Sequence, residues 1–533
     1  MASALNLAFM HVARRAEMSD PEFLAETFVD VGPLFAVLTS PDHQILYGRR
    51  GTGKTHALQY LARVLEEQGD LVVYVDLRNI GSSVGIYADP DTPLTERGSR
   101  LLIDTLARIQ NELADDTLRL AETMEFPYGP PLDTLELLAD EITRVSVQGD
   151  VEDQVGETEA RTSEKSASGG LTAGDSFGVT LGRGHTASDS GEVSHRTVRR
   201  GPERFHVNFG AVSGLLQKFA DAIPVKRIWI LLDEWSSVPL ELQPLLADLL
   251  RRSVFSVKGV TVKIGAIEQQ SRFRVGKAGG GYIGIEIGAD VSADVDLDDY
   301  MVFGNDPDRA KEFFQQLLFR HVSAVLQAEG KSDHVPSSAV DFVAKAFTQV
   351  NAFEELVRAA EGVPRDAINV ANLAAQAAND RQLSVPLVQQ AARTWYLRDK
   401  ENAVSTDPNA SALLHFIQDD VIGQRRARAF LLEQELGGDS LIVSLYNARV
   451  LHVIKRGVAA NDRPGVRFDV YAIDYGAHVQ LRATAKATLG LFAIGDDDDG
   501  EYVEVPGDDY RSIRRAILNL EEFRERVRTT SLG

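Results

Sequence analysis

The stretch Gly48-Arg49-Arg50-Gly51-Thr52-Gly53-Lys54-Thr55 constrains this chain more than any other feature. It fills the pattern G-x-x-x-x-G-K-[ST], with a β-rich run, His43–Tyr47, before it and an amphipathic run, Lys54–Glu67, after it. A strand that turns through glycines into a helix leaves backbone N–H groups pointing inward, and the helix dipole adds to them. Gly48, Gly51, Thr52 and Gly53 form the wrap, Lys54 carries a charge to the β/γ-phosphates, and the Thr55 hydroxyl suits Mg²⁺. With His56 next on the helix, these residues are the expected nucleotide-binding set.

A second signal supplies what the loop lacks. The run Arg227–Leu232 is almost wholly apolar and delivers Asp233 and Glu234 at its C-terminal end, where open α/β sheets bind ligands. Asp233 is the expected partner of Thr55 at Mg²⁺. Glu234 is the expected general base for the attacking water, with Lys54 as the phosphate-facing cation. On its own an apolar run ending in two acids is weak, since strand ends often carry solvated acids. Beside the glycine loop it completes an ATP site.

Strand-type runs at Leu71–Leu77 and Val260–Ile267 alternate with helical stretches at Lys54–Glu67 and Arg97–Met124. That alternation predicts an α/β fold with a parallel sheet. Residues 1–40 read as a helical segment, with periodicity at Ala13–Glu17 and Glu22–Phe28. The nucleotide-binding core is expected over 41–305. It is interrupted at 148–204 by a Gly/Ser-rich insertion that reads as a surface segment, although alternation at Leu171, Phe177, Val179 and Leu181 would also suit a hairpin arm. A helical region follows at 306–400. The region 405–533 offers three helices (Ala410–Gln418, Gln424–Glu435, Asp439–Leu451) and then two β-rich runs, His452–Val458 and Val466–Leu481. Helices followed by a two-stranded ribbon is the order of a winged helix. The acidic run Asp496–Asp499 reads as a solvated loop.

Composition narrows the chemistry. The chain has 533 residues and no cysteine, which removes disulfide scaffolds, Cys-ligated metals and thiol nucleophiles, and fits a reducing cytoplasm. No apolar run approaches the roughly 20 residues of a membrane span, and no secretory signal is legible. The formal charge of −22 disfavours a protein that coats nucleic acid or acidic membrane with its whole surface. Guanine-specific N-K-x-D and transporter-type LSGGQ sequences are both missing, which points away from GTPases and transporter ATPases.

The motifs at Ile45–Leu58 and Ile228–Glu234, followed by a helical region and a winged-helix-like region, resemble the AAA+ ATPases. The resemblance is to their initiator-like branch, typified by origin-recognition and cell-division-cycle loader proteins. It implies a P-loop core, a helical lid and a C-terminal winged-helix-like domain. It places a first sensor after Val260–Ile267, at Glu268 or Gln269. Gln269 is the better candidate because it can donate a hydrogen bond to phosphate. It places a second sensor in Gly362-Val363-Pro364-Arg365-Asp366, at Arg365. Ring-forming relatives supply an arginine finger in trans, but Arg251, Arg252, Arg272 and Arg274 carry no diagnostic setting. The glycine-rich Gly276–Gly281 reads as a connector.

Basic residues gather at Arg425, Arg426, Arg428, Arg449, Lys455, Arg456, Arg463 and Arg467 within an acidic chain. Such enrichment suits double-stranded DNA, and a solvated helix face equally; Tyr471 and Tyr475 suit packing or base stacking. His43, His206, His415, His452 and His478 show no metal spacing and read as structural. Besides a scaffold that binds ATP and scarcely hydrolyses it, two functions follow. One is an ATP-hydrolysing switch coupled to DNA binding or assembly. The other is a homo-oligomerising signalling or defence ATPase that acts through a separate effector.

Overall fold

The computed structural model describes residues 2–13, 20–30, 34–80, 87, 89, 91–143, 145–147, 150–155, 195–200, 203–205, 207–277, 280–298, 307–423, 428–459, 465–481 and 516–530. Contacts divide the chain into a large unit, 1–142 with 208–533, and a small one, 143–207. In the small unit Val145–Val147 pairs antiparallel with Glu203–Phe205, and Asp150–Val155 with His195–Arg200. The alternation at Leu171–Leu181 lies outside the described residues, as do the Ala13–Glu17 periodicity beyond Ala13 and the Asp496–Asp499 run.

The large unit is built on five parallel strands: β1 (Gln44–Tyr47), β2 (Leu71–Asp76), β3 (Ile228–Asp233), β4 (Val260–Ala266) and β5 (Ser292–Asp296). Their order across the sheet is β5-β1-β4-β3-β2, every pair parallel. β3 and β4 are buried along their whole length, which is why they read as continuous apolar runs. The order matters for the site. β4 lies between β1 and β3, so its C-terminal end emerges between the glycine loop and the Asp233-Glu234 pair.

Helix α1 (Ala2–His11) and helix α2 (Pro21–Thr27) precede the sheet, and helix α3 (Lys54–Glu67) follows β1. α3 forms because Ala57, Leu58, Leu61 and Leu65 recur at helical spacing and bury one face. Each buried leucine contributes about 1.5–3 kcal/mol. Helix α4 (Leu94–Thr123) starts three residues before the expected position, with Pro93 as its N-cap. Helices α5 (Gly129–Ile142) and α6 (Phe209–Ala222) pack together.

The lid is helical, from α7 (Pro307–Ala328) through α8 (Pro364–Ala378) to Val385–Trp395. α1 is part of it in space. The Asn6 side chain donates to Asn379 O at 2.6 Å and Arg381 O at 2.9 Å, and Leu5, Ala8 and Phe9 join the lid core.

The C-terminal domain differs from its expected helix count. Pro408–Phe416 is a helix, but Gln424–Glu435 is not: residues 424–427 lie outside the described set and Ala429–Glu433 is strand β6. Helix α9 (Ser440–Asn447) leads into β7 (Leu451–Ala459), and β8 is Arg467–Ile473. The sheet runs β6-β8-β7, antiparallel throughout, which with α9 gives the winged-helix arrangement. The expected ribbon to Leu481 stops at Ile473, and 475–481 turns helical.

Candidate nucleotide site

Gly51 and Gly53 adopt φ of +92° and +102°, a region that side-chain-bearing residues avoid. A Cβ on Gly51 would lie 2.9 Å from the Arg365 Cβ. The Arg49 carbonyl is where the loop closes on itself. It accepts the Thr52 backbone N–H at 3.3 Å, the Thr52 hydroxyl at 2.9 Å and the Lys54 ammonium at 3.1 Å. Lys54 also donates to Gly48 O at 2.8 Å, which leaves its third N–H for a ligand. Burial pushes the Lys54 pKa down, against the pull of Glu234 and Asp233.

β3 brings Asp233 to the loop fully buried. Its Oδ2 accepts the Thr55 hydroxyl at 2.7 Å and the Tyr74 hydroxyl, from β2, also at 2.7 Å; its Oδ1 accepts the Glu234 N–H at 2.8 Å. Tyr74 carries no motif, and only the β2–β3 register, which sets Tyr74 against Leu231 and Asp76 against Asp233, brings it there. Glu234 sits at φ +57°, a left-handed conformation uncommon for glutamate. Burial, then the neighbouring Asp233, pushes its carboxyl above the ordinary value.

In front of Asp233 lies a cavity of about 280 Å³ lined by Gly51, Gly53, Lys54 and Thr55 and by Glu234, Ser236 and Gln270. Arg365 and Pro364 from the start of α8 close it, and Arg50 and Arg78 stand at its edge. Arg78 is held by Asp76, with Nη2 2.5 Å from Oδ2. The far end is aromatic. His56 donates from Nε2 to Leu24 O at 2.7 Å, and its ring lies 6.1 Å from that of His321, whose pKa burial and His56 push down to about 4.

Of the expected set, the structure brings Gly51, Gly53, Lys54, Thr55, His56, Asp233, Glu234 and Arg365 together, with Gly48 and Thr52 in the loop behind Lys54. Gln269 is not among them. The turn Glu268–Gln270 after β4 directs Gln270 to the cavity, while Gln269 and Glu268 border a separate hollow beside Tyr446 and Arg456. Glu268 pairs with Arg456 at 3.1 Å. Arg251 and Arg252 are both held by Asp248, and Arg274 by Glu286. Neither these three nor Arg272 lines the cavity. The strands on either side of the glycine-rich segment, Arg274–Gly276 and Tyr282–Gly284, pair antiparallel, while 278–279 lie outside the described residues.

Among the described residues, Arg428, Arg449 and Arg456 of the C-terminal domain are engaged by acids. Arg428 pairs with Glu361, and Arg449 with Asp399 and, at 3.6 Å, with Asp366. Arg425, Arg426 and Arg463 lie outside the described residues. α9, the helix in the recognition position, reads Ser-Leu-Ile-Val-Ser-Leu-Tyr-Asn, with no lysine or arginine. Glu361, His452 and Asp474 gather their ligand atoms within 4.8 Å, but Arg428, Arg49 and Lys400 already supply cationic partners to this group. It is an ion-pair cluster rather than a metal site. Tyr471 packs face to face with Phe430, and Tyr475 donates to Glu355, so both tyrosines serve packing. His206 is outside the described residues; His43 stacks on Phe255.

The donor set fits Mg²⁺: a hydroxyl and a carboxylate already 2.7 Å apart, both oxygen ligands of the kind that cation prefers. Among the described residues no helix is long and apolar enough to cross a membrane.

The family model described as ORC-CDC6-like matches residues 12–99, a span that holds the glycine loop, α3 and β2. Among solved structures the chain is similar to Cdc6p from Pyrobaculum aerophilum, at 11% identity over 91% of this chain and 98% of that one, with a TM-score of 0.32. It is similar also to Orc1 from Aeropyrum pernix, solved in complex with DNA, at 14% identity over 92% and 98%, with a TM-score of 0.30. No curated protein matches the sequence.

Proposed function

We propose that this chain, ORC-CDC6-like over residues 12–99, is an AAA+ ATPase that binds MgATP, hydrolyses it, and couples nucleotide state to DNA binding or assembly. The observation that carries the reading is the 2.7 Å bond between Thr55 and Asp233, under a lid whose Arg365 rests on Gly51. Thr55 would hold Mg²⁺ directly and Asp233 through water, and the cation would neutralise charge building on the phosphates. Lys54 and the N-terminus of α3 bind the β- and γ-phosphates. Glu234 takes the proton of the attacking water, and its raised pKa makes it a stronger base than an exposed carboxylate. Gln270 and Arg365 line the cavity and would serve as donors to the γ-phosphate. The adenine would lie toward Phe23, Leu24, His56 and His321, which line the same cavity.

Lys54→Ala should abolish nucleotide binding or turnover, and Glu234→Gln should keep ATP but lose hydrolysis, because an amide cannot accept the proton. Unchanged turnover in both variants would remove the assignment.

A second reading, nucleotide-driven assembly that acts through a separate effector, draws support from the C-terminal domain. Its arginines Arg428, Arg449 and Arg456 are spent on acids of the same chain, and α9 carries no base-reading cation. A native mass measurement with and without ATP and duplex DNA separates the two. Salt-sensitive DNA complexes support the first; ATP-dependent oligomers indifferent to DNA support the second.

A further inference from the structure

Arg49 occupies a position that the glycine motif leaves open. An arginine there is well placed to meet phosphate, yet Arg49 is absent from the cavity wall and only 3% exposed. Its Nε lies 2.8 Å from Asp298 Oδ1, and its backbone N–H donates to Asp298 Oδ2 at 2.8 Å. Nη1 donates to His452 Nδ1 at 2.6 Å, Nη2 to the lid carbonyl of Glu361 at 3.3 Å, and the guanidinium lies 5.1 Å from the centre of the Tyr446 ring. His452 and Tyr446 belong to the C-terminal domain. The loop is therefore gripped from outside the core.

The grip has a defined chemistry. A guanidinium only donates, so His452 Nδ1 must accept, and its proton sits on Nε2. Nε2 in turn donates to Asp474 at 3.1 Å. Asp474 also meets Lys400 at 2.5 Å, and Lys400 reaches Asp366 at 2.8 Å. Asp366 directly follows Arg365. One buried chain of contacts thus joins the phosphate loop, the C-terminal domain and the residue beside the lid arginine. The Arg49 carbonyl, meanwhile, holds Thr52 and Lys54. A shift of Arg49 therefore moves the groups that face phosphate.

We propose that Arg49 and His452 are a positioning pair: the docked C-terminal domain sets the phosphate loop through His452, and bound nucleotide in return favours docking. This rests on the nucleotide reading above. Reciprocity follows from linkage, since a domain that tightens nucleotide binding is itself held more tightly by nucleotide.

The test uses the full chain and a fluorescent ADP analogue, with MgATP for turnover. His452→Ala and Arg49→Ala should each weaken nucleotide affinity at least tenfold, and the double variant should be no weaker than the poorer single one. His452→Gln, which keeps an acceptor, should stay within about threefold of the parent. Proteolysis between the lid and the C-terminal domain should slow on adding nucleotide in the parent and not in His452→Ala. Phe523→Ala controls for general loosening, because Phe523 is buried in the C-terminal core away from Arg49. It should leave affinity within threefold. Unchanged affinity in His452→Ala, additive losses in the double variant, or an equal loss in Phe523→Ala would overturn the pair. A parent that binds no nucleotide would take the ATP reading down with it, an outcome visible before any variant is made.

Discussion

Arg365 donates its backbone N–H to the Gly51 carbonyl at 3.2 Å, so the lid meets the phosphate loop peptide to peptide. That contact needs a residue without a side chain at 51. Gly51→Ala should cost about 1–2 kcal/mol for the left-handed backbone, plus displacement of Arg365, whose Cβ would lie 2.9 Å away. Gly53→Ala meets nothing within 4 Å and pays for conformation alone. Denaturant unfolding of the nucleotide-free protein should therefore rank Gly51→Ala as the more damaging of the two.

Gln270 and Gln269 make opposite predictions from adjacent positions. Gln270→Ala removes a donor from the cavity and should lower kcat by about 10²-fold with little change in KM. Gln269→Ala should leave turnover near that of the parent. Steady-state kinetics of the two variants decides between the place that the resemblance favours and the place that the turn after β4 provides.

Tyr74→Phe deletes one of the two hydroxyls on Asp233 Oδ2. A hydrogen bond to a charged group is worth about 1.5–3 kcal/mol, and the variant should lose that much stability by chemical denaturation. Its nucleotide affinity should survive, since Thr55 and Lys54 are untouched.

Acid should weaken the C-terminal docking before it unfolds the core. Burial pushes His452 down to about 3, with Arg49 beside it opposing protonation, while an unfolded histidine titrates near 6.5. Between those values the unfolded chain binds the extra proton, so stability falls as pH drops through 6.5 toward 3. Asp474 adds to this at lower pH: burial alone would raise its pKa, but Lys400 and His452 hold it below the ordinary value. His452→Gln should flatten the pH dependence of proteolytic protection between pH 4 and 6.5.

Much of the core was legible because buried parallel strands are short apolar runs, and β2, β3 and β4 are such runs. β5 was not, since Ser-Ala-Asp-Val-Asp is an edge strand carrying two acids, and its pairing with β1 is a long-range fact. The β6 segment reads as helix in the sequence because five residues, Ala-Phe-Leu-Leu-Glu, have no period to measure; the partner Arg467–Ile473 decides. In the site, the glycine loop and the Asp233-Glu234 pair were visible as local patterns. Tyr74, Arg49 and Gln270 were not, because each acquires its role from a neighbour far along the chain or from the twist of one turn. The basic cluster shows a related limit. Counting arginines does not reveal that Glu361, Asp399 and Glu268 pair with three of them, Arg428, Arg449 and Arg456.

The chain from Arg49 through His452, Asp474 and Lys400 to Asp366 has no half-open state of low energy. Drawing off His452 and Asp474 leaves Arg49 with Asp298 and Lys400 with Asp366, but it takes the Asp474 carboxylate from its cation in a place without water, a cost relieved only by wetting. Separation of the C-terminal domain from the core is on these grounds a discrete event, closer to the opening of a latch than to the bending of a hinge. On the proposed coupling, each molecule would be either engaged or released, and a population would answer nucleotide by changing how many are in each class.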